Sequence, residues 1–222
     1  MSQHTPLYDA HVAAGARMVD FGGWEMPINY GSQIEEHNSV SIAAGMFDVS
    51  HMTVVDINGP PARIFLSYLL SNAVAKLKTP GRAFYSCMLN ENGGVIDDLI
   101  TYFLDETFFR VVVNAATHDK DMECINSQAR AFDVEVNERP ELAMIAVQGP
   151  RARQVVLSLL PENDAELAGD IKPFGAGQFG DMFIARTGYT GEDGFEISLS
   201  AEAATRLWDE LLAAGVAPCG LG

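Results

Sequence analysis

Val55-Asp56-Ile57-Asn58-Gly59-Pro60-Pro61-Ala62-Arg63 matches Ile145-Ala146-Val147-Gln148-Gly149-Pro150-Arg151-Ala152-Arg153 at an offset of 90 residues. The match continues through Leu69-Leu70 and Leu159-Leu160. Self-similarity at one fixed spacing marks an internal repeat. Each copy reads as a strand, a Gly-Pro turn with proline near the first helical position, and a helix with a leucine-rich face. Working outward from the first copy, β-rich runs predict strands over 83–89, 95–104 and 108–113. A helix over 119–131 and a strand over 134–137 complete it. We read that order as β-α-β-β-α-β, the split βαβ pattern. The second copy predicts strands near 142–147, 181–187 and 195–199, a helix over 201–214, and a last strand beginning near Val216. The stretch 161–177, rich in Gly, Pro and acidic residues, reads as a linker.

The expected architecture is therefore α+β, with two pseudo-repeated ferredoxin-like units at 53–140 and 141–222, the second incomplete. Residues 1–52 mix turn signals (Phe21-Gly22-Gly23-Trp24, Met26-Pro27) with a helix signal over 32–44. Their apolar residues need a partner surface. The second unit is the expected one, which would interleave the chain. The chain stops in the apolar run Cys219-Gly220-Leu221-Gly222, so we expect the full sequence to continue past it.

Composition narrows the function classes. Of 222 residues, 48% are hydrophobic and 20% charged, a globular balance. Lys plus Arg is 14 against 30 Asp plus Glu, a net charge of −16. That excess argues against nucleic acid or an anionic membrane as partner, because binding phosphate needs a basic surface. A small anionic ligand in a local basic pocket remains compatible. The three cysteines, Cys87, Cys124 and Cys219, lack the spacing of a disulfide framework or zinc site and read as reduced, structural thiols. No basic start runs into an apolar stretch, and no stretch approaches the ~20 apolar residues of a membrane span. A cytoplasmic protein is expected.

Two segments could carry chemistry. In Asn92-Gly93-Gly94-Val95-Ile96-Asp97-Asp98-Leu99-Ile100, a hairpin turn precedes two carboxylates inside a β run. Strand alternation puts Asp97 and Asp98 on opposite faces, so one is pushed toward a buried or cleft-lining position. An exposed hairpin mouth would produce the same letters. In Thr187-Gly188-Tyr189-Thr190-Gly191-Glu192-Asp193-Gly194-Phe195-Glu196, three glycines mark a tight loop, and Glu196 follows it on a strand. With no Lys-Ser/Thr behind the glycines, this is not a P-loop. If the copies are pseudo-symmetric, two acids and Tyr189 could meet in one cavity. A carboxylate facing a ring edge with N–H groups suits a pterin or purine-like heterocycle. An ordinary hairpin with one exposed acid is the alternative. The five histidines show no metal spacing, so no metal is expected. Glu35-Glu36-His37 reads as a solvated helix face, and Ser50-His51 lacks the geometry of a catalytic pair.

These segments together resemble the aminomethyltransferase (T-protein) family of the glycine cleavage system. The resemblance spans the whole chain. It rests on Thr5-Pro6-Leu7-Tyr8 with His11, Met18–Pro27 with Tyr30, and Gly45-Met46-Phe47-Asp48-Val49-Ser50-His51-Met52. It continues through the Asn92–Ile100 segment, Val113-Asn114-Ala115, Val147-Gln148-Gly149-Pro150 and Gly188–Ile197. It implies a three-domain cloverleaf with folate in a central channel, of which the C-terminal β-barrel domain is missing here. It implies transfer of the one-carbon unit from the lipoyl arm of the H-protein to tetrahydrofolate, releasing ammonia and forming 5,10-methylenetetrahydrofolate. It places Asp98 at the reacting folate nitrogens as the catalytic residue and Glu196 on the pterin. Met52, Tyr85, Asn114 and Tyr189 fall at pocket-lining positions. The family continues past Cys-Gly-Leu-Gly with an Ala-Arg-Asp run whose Arg helps bind folate. A folate-dependent demethylase and a non-catalytic folate-binding regulator are the alternatives within the superfamily.

Overall fold

The structure, a computed structural model, describes residues 2–222. In chain order the elements are α1 (Tyr8–Ala13), β1 (Arg17–Phe21), β2 (Trp24–Asn29), α2 (Gln33–Ile42), β3 (Gly45–Asp48), β4 (Thr53–Asn58), α3 (Ala62–Leu69), β5 (Ala83–Leu89), β6 (Val95–Asp105) and β7 (Phe108–Val113). There follow α4 (His118–Ala129), β8 (Glu135–Glu138), β9 (Leu142–Gln148), α5 (Ala152–Ser158), α6 (Glu162–Gly169), β10 (Gly175–Phe179), β11 (Met182–Arg186), β12 (Gly194–Ser200), α7 (Ala201–Ala213) and β13 (Ala217–Pro218). The chain forms two compact units: Met52–Pro140, and Met1–His51 with Glu141–Gly222.

Unit Met52–Pro140 is a five-stranded antiparallel sheet ordered β5-β6-β7-β4-β8. Its β6-β7-β4-β8 part is the split βαβ order. The remaining strand, β5, joins the edge through a turn in which the Asn90 side chain accepts from the amides of Asn92 and Gly94, each at 2.9 Å. Each repeat thus has three strands between its helices, one more than the β-α-β-β-α-β reading. One face of this sheet is covered by α3 and α4. Val55, Ile57, Leu99, Phe103, Phe109, Val111 and Val113 pack there on Phe65, Leu66 and Ile125. Each large side chain so buried is worth about 1.5–3 kcal/mol.

The other unit has the same order with one insertion: β10-β11-β12-β9-β3-β13. Strand β3, from the N-terminal segment, pairs antiparallel with β9 and parallel with β13. The equivalence of the copies extends to their turns, since Gly59 and Gly149 share φ near +128° and +124°. Only glycine adopts that backbone without strain. Helix α7 starts at Ser200, whose side chain caps the Ala203 amide. It buries Ala203, Ala204, Leu207, Trp208 and Leu211 on the sheet at helical spacing. The stretch 161–177 is no linker: it holds α6 and the start of β10. Pro161 precedes α6, and Glu162 and Asp164 fill its first turn, where carboxylates favour the positive helix end. The acidity that suggested a linker is a helix-start signal.

The N-terminal segment is held by a buried polar knot. Asp48 accepts from Thr5 Oγ1 at 2.5 Å and from the Ser50 amide at 2.9 Å, and bonds His11 Nε2 at 2.9 Å. His11 Nδ1 meets the Tyr30 hydroxyl at 2.7 Å. Burial opposes ionisation of Asp48, but its three donors outweigh burial and hold its pKa below the usual range. On α2, Glu35 and His37 are exposed as expected. Glu36 is half-buried and accepts from the amides of Tyr30 at 2.6 Å and Gly220 at 2.8 Å.

Candidate functional site

Strand register decides where the acids of β6 point. Asp97 lies opposite Met88 and Asp98 opposite Cys87. Directly opposed residues share a face. Met88 is fully buried against the helices, so Asp97 turns to the helix-covered face. Asp98 takes the other face, with Tyr85 and, two residues along, Ile100.

Asp97 is heavily engaged. It accepts from Thr117 Oγ1 at 2.6 Å and from Asn114 Nδ2 at 3.2 and 3.1 Å. Asn114 Nδ2 also donates to the Asp98 carbonyl at 3.0 Å, pinning the backbone that carries Asp98. Beneath lies Asp121 of α4, fully buried, with neither carboxyl oxygen receiving a donor. Burial first, and then the neighbouring Asp97, push its pKa up to about 7, with Thr117 and Lys120 opposing. Asp97 goes the other way. Burial disfavours its charge, but the neighbouring Asp121 carboxyl and the hydrogen bonds from Thr117, Asn114 and the Asp98 backbone hold its pKa below the ordinary value. Of the two, Asp121 holds its proton to the higher pH, and the carboxyls titrate as a coupled pair. The Asp98 carboxylate is exposed and makes no hydrogen bond among the described residues. Tyr85 is 46% exposed on the same sheet face. Met52 is half-buried just ahead of β4.

In the other unit, Glu196 of β12 stands opposite Ala146 of β9 and Ala185 of β11, and Phe47 of β3 stands opposite Ala146. Ala185, Glu196, Ala146 and Phe47 thus form one row across the sheet. The row faces away from the helices, because Ile145, Val147, Ile197 and Leu199 face the helix-covered core. Alanine on either side leaves space beside the Glu196 carboxylate, whose hydrogen bond comes from the Thr187 hydroxyl. Burial pushes the Glu196 pKa up, and the Thr187 hydroxyl partly offsets it. Tyr189 is 40% exposed. Its ring lies 5.4 Å from that of Phe47 at 54°. Burial and the Glu196 charge both raise its pKa. Phe47 and Tyr189 also wall a cavity of about 210 Å³ with Gln33, His37, Cys219 and Leu221, which Glu196 does not line. The loop between β11 and β12 is closed at its base by Arg186, which donates to Asp193 at 2.9 and 2.8 Å.

The first repeat treats the equivalent row differently. There Asp56 replaces Ala146 and faces Arg110, which occupies the position of Glu196. Arg110 grips Asp56 through two bonds of 2.7 and 3.0 Å, and Arg139 adds a third at 2.5 Å. That row is a closed ion network. In the second repeat the acid stands without a basic side chain paired to it among the described residues. Neither Thr187 nor the Arg186–Asp193 clasp stood out in the sequence, although the 90-residue alignment already sets Asp56 against Ala146.

A family model described as the GCVT N-terminal domain matches residues 7–222. The chain belongs to this family. Its fold is similar to that of glycine cleavage system aminomethyltransferase T from Bartonella henselae, at 37% identity and a TM-score of 0.91, covering 100% of this chain. The chain spans 60% of the length of that relative. A subunit of heterotetrameric sarcosine oxidase from Corynebacterium sp. U-96 matches at 13% identity and a TM-score of 0.52, over 82% of this chain and 90% of that one, a likeness of fold alone. Both the T-protein resemblance and the mixed α+β architecture expected from the sequence stand. Among the described residues of this GCVT N-terminal domain, no group of three or more His, Cys, Asp or Glu could hold a metal ion. Among the described residues, no helix is long and apolar enough to cross a membrane.

Proposed function

We propose that this chain binds tetrahydrofolate and acts in aminomethyl transfer, receiving the one-carbon unit from the lipoyl arm of an H-protein. The products are ammonia and 5,10-methylenetetrahydrofolate. One observation carries the folate reading: Glu196 sits half-buried between two alanines without a basic partner, where the first repeat has a closed Asp56–Arg110 pair. A buried acid with one hydroxyl donor has acceptor capacity left over. The N–H edge of a pterin would use it, and Tyr189 and Phe47 offer aromatic surface nearby.

In the other unit Asp98 would act on the chemistry. It is held by a pinned strand and is exposed, so its carboxylate is free to orient folate nitrogens and to stabilise positive charge as the one-carbon unit is transferred. Positioning supplies much of the acceleration, because the carbon arrives already activated between sulfur and nitrogen. Tyr85, Met52 and Asn114 of this unit are proposed as further folate-binding residues. H-protein and folate are the proposed partners and the cytoplasm the proposed location.

Calorimetric titration of the chain with tetrahydrofolate tests the reading. Binding that weakens about tenfold or more in Glu196→Gln supports it. Failure of the unaltered chain to bind overturns it. Asp98→Asn should keep the affinity while abolishing ammonia release from aminomethyl-loaded H-protein, and near-normal turnover would remove Asp98 from the chemistry.

A further inference from the structure

We infer that Gln148 is a positioning residue that sets the Thr187–Asp193 loop in its binding shape, a role that rests on the folate reading for its functional consequence. Gln148 ends β9 and is fully buried. Its amide nitrogen donates to the carbonyl of Val147 at 3.2 Å and, more weakly, to that of Phe195 at 3.5 Å. These bonds leave Oε1 aimed into the loop, where it accepts from the Tyr189 amide at 3.2 Å and the Thr190 hydroxyl at 3.4 Å. One side chain therefore joins the strand that carries Glu196 to the backbone that carries Tyr189.

The two repeats make the same point by their difference. Asn58 is the counterpart of Gln148. It faces Phe108, and the hairpin beside it is only Glu106-Thr107. Gln148 faces Gly194, and the equivalent connection has grown to residues 187–193. A longer amide accompanies the longer loop. Gly194 makes room for it: a β-carbon there would lie 2.9 Å from Gln148 Nε2 and 2.1 Å from the Val147 carbonyl oxygen. A buried amide that satisfies both its donor and acceptor sides fixes one loop geometry, because any other leaves polar atoms without partners.

The test compares the unaltered chain with Gln148→Met, which keeps the volume, and Gln148→Asn, which restores the shorter amide of the first repeat. Hydrogen exchange at the Tyr189 amide should accelerate about tenfold or more in both variants, while the β12 ladder amides stay protected. Tetrahydrofolate affinity should fall by a similar factor with little change in Tm. Unchanged Tyr189 exchange in Gln148→Asn overturns the inference whatever happens to folate binding. Faster exchange with unchanged folate affinity overturns the binding role. If the unaltered chain does not bind folate, the folate reading fails, and the exchange result still decides whether Gln148 orders the loop. Should Gln148→Met fail to fold, exchange in Gln148→Asn decides by itself.

Discussion

At the residue scale, the buried carboxyl pair makes stability depend on pH. Asp121 has its pKa raised to about 7, so the folded state holds a proton that the unfolded chain gives up nearer pH 4. The stabilising contribution is complete at acid pH and is lost as pH rises through about 7. The slope from one proton is at most about 1.4 kcal/mol per pH unit. Asp97, with its pKa lowered, contributes oppositely: its share is present at neutral pH and is lost as pH falls below the ordinary carboxylate range. Asp121→Asn keeps the shape of the side chain and removes its titration. It should flatten the decline of unfolding free energy between pH 5 and pH 8, measured by urea titration across that range. An unchanged slope would show that Asp121 does not carry the proton. The Asp56–Arg110–Arg139 network gives a second expectation. Asp56→Ala removes the carboxylate that the buried Arg110 guanidinium grips and should cost roughly 3–5 kcal/mol in the same assay. A loss under about 1 kcal/mol would mean the arginines are satisfied without it.

At the element scale, strand β12 depends on a glycine. A β-carbon at Gly194 would lie 2.1 Å from the Val147 carbonyl oxygen, a backbone atom that cannot swing aside. Gly194→Ala should separate β12 from β9 at the loop end and lower stability by roughly 1–3 kcal/mol. Calorimetric melting measures the loss, and amide exchange at Phe195 locates it. Ser32 caps α2 through the Glu35 amide at 3.3 Å, so Ser32→Ala should cost about 1 kcal/mol. Helix α6 has the same lesson in its sequence. Proline followed by acidic residues reads equally as loop and as helix start, and what settles it is whether the apolar side chains find a surface. Ala168 does, fully buried in the core of its unit.

At the scale of the whole molecule, the second sheet is built from both ends of the chain. Strand β3 brings residues 45–48 between β9 and β13, and Asp48 ties it to Thr5, His11 and Ser50. Asp48→Ala should remove that anchor, destabilise this unit by roughly 3 kcal/mol or more, and expose residues 3–30 to protease. Unchanged proteolysis would show that apolar packing alone holds the segment. The repeat, helices α2–α5 and α7, and every strand of the two repeats except β10 could be read directly from the sequence, because periodicity and turn residues act over a few positions; α1, β1, β2, β3 and α6 were not. The paired acids and the glycine loop stood out as candidate chemistry for the same reason. Face and partner were not. Asp97 and Asp98 are adjacent letters. Cross-strand register alone, set by Met88 and Cys87, sends one under the helices beside Asp121 and leaves the other exposed. Glu196 and Arg110 likewise became comparable only once their ladders were aligned, which exposed one acid without a cation and one closed ion pair. Local propensity thus determined most elements of the two repeats. Long-range hydrogen bonding and burial decided which side chains they present, because those depend on residues as far as 184 positions away.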